Sequence, residues 1–209
     1  MRGKMRKRRL FCLSFFVTLL VGACSNSEYE PKLLKKEGIA PYELSQRDEY
    51  LLQSFGLANS SELLLYNAPK EAITLKVNFA VLDEEGEWEL IDDDWGISIG
   101  TEREPEPTLK GTLALIFNDD HTIDVNINSC CSFSITPPEF SIELMGWSRA
   151  ELMEFQTIEL NQPIPIALMA YTSGSSMRSY AIEHYFDTSV FEGVDVVHVI
   201  TLTFTEQEL

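Results

Sequence analysis

A loop of nine residues, TSGSSMRSY, follows a strongly apolar segment and combines small hydroxyl side chains with one arginine. Ser175 and Ser176 lie close to Arg178, whose guanidinium offers the paired N–H donors that bind a carboxylate or a phosphate. His184 and Asp187 follow shortly after, which raises the alternative of a hydrolase with a Ser-His-Asp site. However, the loop has no Gly-x-Ser-x-Gly elbow, and Arg178 stands where a Ser-x-x-Lys motif needs lysine. We therefore predict no catalytic residue: a plain surface loop is the preferred interpretation, and a ligand-contact loop is the second.

The densest group of charges is the segment 83–106, which holds eleven carboxylates and one base. Clustered carboxylates on a loop are the ligands that a hard cation such as calcium requires. The run of Asp92, Asp93 and Asp94 lacks the alternating Asp-x-Asp-x-Asp-Gly spacing of a specific calcium loop. We therefore prefer a solvated acidic hairpin to a calcium site and expect no cofactor. Trp95, if it is exposed, would offer a contact to a partner.

The histidines and cysteines show no metal-binding pattern. His121, His184 and His198 lack zinc spacing, and His198 alternates with apolar neighbours, as a hydrogen-bonded core or edge histidine does. Cys130 and Cys131 are adjacent, and side chains at adjacent positions of a strand point to opposite faces. This geometry disfavours a disulfide between them. We expect Cys131 to be buried and Cys130 to face the other way.

The N-terminus has the three parts of an export signal. Six basic residues precede an apolar run at 10–20, and small residues close it. The whole apolar stretch, 10–23, is shorter than the roughly 17–25 residues that a transmembrane helix needs. Residues 1–23 are therefore predicted to be a signal peptide.

The end of this signal, Val21, Gly22, Ala23 and Cys24, resembles the lipobox of bacterial lipoproteins. The resemblance covers residues 1–24 only, and Val21 stands where leucine is commonest in that family. It implies that Cys24 is linked to a diacylglycerol and that a signal peptidase cuts after Ala23. The protein would then be held in the cell membrane by lipid, facing outside the cytoplasm, since two acyl chains anchor a protein stably.

The net charge constrains the class of partner. Six of the 16 Lys and Arg residues lie in the signal, so the rest of the chain carries ten against 33 Asp and Glu, a net charge of −23. Such a surface repels phosphate backbones, so we exclude DNA and RNA as partners. A hydrophobic content of 44% nevertheless indicates a folded domain rather than a disordered chain.

Alternation of apolar and polar residues predicts that the domain is mainly β. The strongest alternation lies in five segments, and two shorter segments add candidate strands. One-sided strands joined by turns favour an antiparallel β-sandwich, immunoglobulin-like or related, over a parallel sheet. The Asn-Asp-Asp-His run at 118–121 predicts a hairpin turn, and Pro163 and Pro165 predict an edge strand or a bulge. The seven predicted strand segments are 72–83, 87–91, 97–99, 108–118, 122–136, 155–171 and 194–204.

Two short helices complete the predicted single domain, 42–209, which follows a tether at 24–41. The first, 46–55, has Ser45 and Asp48 in a pattern close to a capping box, and its apolar stripe is expected to pack on the domain edge. The second, 147–155, follows a Ser-x-x-Glu pattern. The favoured function is a non-enzymatic module that binds a protein, a peptide or an envelope polymer.

Overall fold

The computed structural model describes residues 33–92, 96–98, 109–127, 131–140 and 143–208, all within the compact unit Leu33–Leu209. The signal peptide and Cys24 lie outside the described residues, as do Asp93, Asp94, Trp95 and Cys130. Within the described ranges, no helix is both long enough and apolar enough to cross a membrane.

The described residues form eleven β-strands, one α-helix and two short 3-10 helices. In chain order these are β1 (Gly38–Pro41), α1 (Gln46–Ser54), β2 (Ser61–Asn67), β3 (Thr74–Leu82), β4 (Trp88–Asp92), β5 (Gly96–Ser98), β6 (Lys110–Phe117), β7 (Ile123–Ile127), β8 (Cys131–Ile135), β9 (Gly146–Glu151), β10 (Ile164–Thr172), the 3-10 helices η1 (Ile182–Phe186) and η2 (Thr188–Phe191), and β11 (Val196–Thr205).

Two antiparallel sheets face each other as a β-sandwich, which confirms the predicted fold class. The first sheet has the order β1-β2-β6-β7-β8; the second has the order β4-β3-β11-β10-β9, with β5 also paired to β3. Their inward side chains form one hydrophobic core, across which Tyr66 and Phe204 meet with ring centroids 5.9 Å apart. The period of two in each strand produces this layering, because every second side chain falls on the same face.

A second, smaller core lies on the outer face of the second sheet. The segment 172–195, which contains η1 and η2, folds over β10 and β11. Ile182 and Phe191 from this segment join Leu168 and Ala170 of β10 in a separate apolar cluster. As a result, β10 is buried along its whole length on both faces.

The prolines near the start of β10 mark a bulge. The pairing of β10 with β11 shifts register between Pro165 and Ala167, so Ile166 and Ala167 both belong to the main core. The strand lies between β11 and β9 rather than at an edge. Of the two predicted alternatives, the bulge is therefore the one observed, and it accommodates a residue that has no N–H to donate.

The alternating segment predicted at 122–136 forms two strands rather than one. β7 and β8 pair antiparallel, with Ile123 opposite Ile135 and Ile127 opposite Cys131. Periodicity alone does not reveal the reversal, because both strands keep the same alternation. Cys131 is half-buried, so the expectation that it is buried is wrong. The predicted turn before β7 is confirmed, since the N–H of Asn118 donates to the carbonyl oxygen of Thr122 at 2.9 Å.

Helix α1 begins where the sequence predicts. Ser45 Oγ accepts the N–H of Asp48 at 3.3 Å, and Asp48 Oδ2 accepts the N–H of Ser45 at 3.0 Å, which forms the capping box. The predicted packing of the apolar stripe is wrong: no residue of α1 is buried, and Phe55 is 75% exposed. A stripe of two residues, Leu51 and Phe55, is too narrow to bury a helix face.

The segment predicted as a second helix, 147–155, begins as a strand instead. β9 pairs antiparallel with β10, with Arg149 opposite Met169. The Ser-x-x-Glu pattern of Ser148 and Glu151 satisfies at most two backbone donors, whereas pairing with β10 satisfies a whole ladder. Tertiary pairing therefore overrides the local helix signal.

The tether predicted at 24–41 ends earlier than expected, because its last four residues form β1. Ile39 is fully buried in the main core, and its N–H donates to the carbonyl oxygen of Gln156 at 2.9 Å. A side chain on Gly38 would overlap the ring of Phe155, so this close approach requires glycine.

Candidate functional site

The predicted loop residues do not assemble a catalytic triad. Ser175, Ser176 and Arg178 are exposed, and His184 Nδ1 accepts the N–H of Ala181 at 3.1 Å. In the part of the chain that the structure describes, no hydrogen bond joins either serine to the histidine. Asp187 accepts a hydrogen bond from a neighbouring serine hydroxyl at 2.6 Å rather than from the histidine. The loop geometry therefore gives the hydrolase alternative no support.

The acidic segment forms a hairpin over its described part. The side chain of Asp83 accepts the N–H groups of Glu85 and Glu87, and β3 and β4 pair on either side of this turn. Trp88 packs rather than projecting outward: its Nε1 donates to the carbonyl oxygen of Tyr185 at 3.0 Å, and their rings stack at 5.4 Å. No group of metal-ligating side chains occurs among the described residues, and the candidate ligands Asp93 and Asp94 lie outside them.

His198 is buried among aromatic rings, as its position in β11 predicts. It is 1% exposed and packs against Phe79, Phe140 and Tyr171, with ring centroids 5.0, 5.8 and 5.3 Å away. Burial, together with His121 nearby, lowers the pKa of His198 to about 4. Its Nδ1 has no hydrogen-bond partner among the described atoms, so the predicted hydrogen bond is not seen at that nitrogen. The histidine is therefore neutral at pH 7.

A cleft of about 740 Å³ runs beside β9. Its floor is formed by residues 147–154, and its wall by residues 180–183 at the start of η1. Trp147 is 57% exposed and Met153 is 75% exposed, so large apolar groups reach solvent at both ends of this floor. Sequence reasoning missed the cleft because it assigned the segment to a helix. The alternation of Trp147, Arg149 and Glu151 with small residues is the signal that indicates a strand.

Two charged side chains of β9, Arg149 and Glu151, lie near the carboxyl group of Glu62 on β2. Arg149 Nε lies 2.6 Å from Glu151 Oε1, its Nη2 donates to the carbonyl oxygen of Asn59 at 2.9 Å, and its guanidinium lies 4.0 Å from the ring centroid of Phe117. Glu62 of β2 points into the core on the same side as Leu64 and Tyr66 of that strand. These contacts satisfy the guanidinium of Arg149 within the protein. We therefore interpret Arg149 as a structural residue of β9 and not as a ligand-binding residue.

Glu62 is the most strongly perturbed group near the cleft. It is 6% exposed, and among the described residues its carboxyl oxygens make no contact of full hydrogen-bond geometry, since the nearby N–H of Leu152 donates to the carbonyl oxygen of Ile166 at 3.0 Å. Burial, together with the neighbouring charge of Glu151, raises the pKa of Glu62 to about 9, although Arg149 and the nearby backbone N–H of Leu152 oppose the shift. The carboxyl group is therefore protonated and neutral at pH 7.

A smaller cavity of about 290 Å³ adjoins the same strand. Phe117, Trp147 and Tyr171 contribute aromatic walls, and Arg149 and His121 contribute polar groups. Burial raises the pKa of Tyr171 to about 12. Concave surfaces with perturbed titratable groups are common features of binding sites, and here both concave surfaces share β9.

Comparison with known proteins finds no family model that matches the chain and no match among curated proteins or solved structures.

Proposed function

We propose that this protein is a lipid-anchored lipoprotein of the cell envelope whose β-sandwich binds a partner without catalysis. The anchor rests on the resemblance of residues 21–24 to a lipobox, with Cys24 as the lipidated residue and cleavage after Ala23. The partner is a protein, a peptide or an envelope polymer that reaches the domain outside the cytoplasm.

The observation that supports binding is the cleft beside β9. It combines an open strand edge, exposed apolar side chains at Trp147 and Met153, and carboxylates at Glu154 and Glu183. Apolar anchors with a polar rim are the usual composition of a protein interaction surface. The exposed loop at Ser175, Ser176 and Arg178 offers fewer such features, since its apolar side chains, Met177 and Tyr180, pack against the second core.

Site-specific photo-crosslinking in the intact producing cell tests this proposal. A benzophenone amino acid at Met153 places the probe in the cleft, and one at Tyr50 on α1 provides a control of similar exposure, 69% against 75%. A discrete adduct from position 153 that is absent at position 50 would support a binding surface at the cleft. Identical crosslinking patterns from the two positions would refute it.

A further inference from the structure

The outer edge of β9 is open. Among the described residues, β9 pairs with β10 alone and ends the second sheet. Alternate N–H and C=O groups of an antiparallel edge strand point away from the sheet and remain available to another strand. The 740 Å³ cleft is lined by β9 and the residues that follow it, and a second cavity of about 280 Å³ shares Leu152 and Ile182 with it. The two cavities therefore adjoin each other, and together they are called the groove.

The side chains of β9 leave its backbone accessible. Arg149 and Glu151 lie on the face that turns toward the main core, opposite core residues of β10. The outer face carries only Ser148 and Ala150, which are small. Met153 extends beyond the strand with an unbranched, adaptable side chain. Apart from Trp147 near its start, β9 thus has no large exposed side chain that an added strand would meet.

The charge of the groove selects the partner's chemistry. Glu151, Glu154, Glu159 and Glu183 line the two cavities, against one base, Arg149, which is already ion-paired to Glu151. A second copy of this chain, with a net charge of −23 after the signal, would be repelled. A basic segment would instead be attracted and held by carboxylates along its length.

We infer that the groove binds an extended, lysine- or arginine-rich polypeptide segment by strand addition to β9. Main-chain hydrogen bonds to the edge of β9 align the bound segment with the strand. The carboxylates of Glu154 and Glu183 favour basic side chains on that segment. This inference rests on the proposed binding function and adds the chemical class of the partner and its mode of binding.

Synthetic peptides test the mode of binding with the full-length protein in detergent micelles. The probe is a fluorescent ten-residue peptide that alternates lysine with valine, compared with its glutamate counterpart by fluorescence anisotropy. Two further lysine peptides carry N-methyl groups on alternate backbone nitrogens, one on the odd set and the other on the even set. Strand addition predicts that one N-methylated isomer loses at least about tenfold in affinity and the other keeps it, because only one set of N–H groups faces β9.

Paired substitutions test the place of binding. Glu154→Gln with Glu183→Gln removes two exposed carboxylates from the groove, and Glu71→Gln with Glu206→Gln removes two exposed ones elsewhere. The groove pair should weaken the lysine peptide about threefold to tenfold, and the control pair less than twofold. Equal losses in both variants would show a diffuse attraction to the acidic surface and overturn the inference.

Other outcomes also overturn it. Equal affinity of the lysine and glutamate peptides refutes the charge selection, and equal affinity of the two N-methylated isomers refutes strand addition. If Met153 crosslinks a partner in cells while the lysine peptide does not bind, the binding function stands and only the partner chemistry is refuted. If neither occurs, both proposals fail.

Discussion

The buried carboxyl of Glu62 should make the protein less stable as the pH rises. Its folded-state pKa is about 9, against an ordinary value of 4.5. Between these values the folded protein keeps a proton that the unfolded chain has released. A raised carboxyl pKa therefore lowers the free energy of unfolding with rising pH, by about 1.4 kcal/mol per pH unit.

Glu62→Gln should remove this dependence, because the amide has the size of the protonated carboxyl and does not titrate. Between pH 6.5 and 8.5, the wild type should lose about 3 kcal/mol of unfolding free energy, and the variant should lose much less. We expect the variant to be the more stable protein at pH 8.5. Amide N–H donors of the variant that lack partners in this buried site cost stability. The increase in unfolding free energy is therefore smaller than the value calculated from the pKa shift alone.

Urea denaturation at the two pH values measures the effect, and Glu206→Gln provides a control in which the same change is made on an exposed side chain. In the control variant, the free energy of unfolding should change with pH as it does in the wild type. If Glu62 were ionised and held by Arg149, Glu62→Gln would instead destabilise the protein at both pH values, because it would leave a buried charge without its partner. That result would refute the reasoning.

Three further predictions concern the anchor, the buried histidine and the surface charge. Cys24→Ala should abolish labelling by a fatty-acid probe, and equal labelling of the two proteins would overturn the lipobox assignment. Because the folded-state pKa of His198 is depressed from 6.5 to about 4, its neutral form should contribute stability that is lost as pH falls through this range. His198→Gln should flatten that loss in a thermal melt, and an unchanged acid slope would contradict the burial argument. The melting temperature should rise as potassium chloride screens the acidic surface from 0.01 to 0.15 M. A saturable calcium shift that disappears when Asp92, Asp93 and Asp94 are replaced by Asn would reveal a metal site instead.

The acidic character of the candidate groove follows from the amino-acid composition, whereas its location follows from the tertiary structure. The excess of carboxylates is a count, so the sequence alone predicts that DNA and RNA are not partners before any contact is known. The groove itself could not be predicted, since it requires β9 to be the last strand of its sheet and η1 to fold over β10. Both facts depend on which strands pair over long distances in sequence.

The rest of the fold shows the same contrast between features that depend on neighbouring residues and features that depend on strand pairing. The sequence by itself determined the capping box of Ser45, the turn at 118–121 and the period of two in most strands, because each depends on neighbours within a few residues. Only the tertiary structure decided that 147–155 begins as a strand and that Glu62 lies buried. Strand pairing and desolvation depend on groups that lie far apart in the chain. Their free energies outweigh the local preference of a segment for helix or strand.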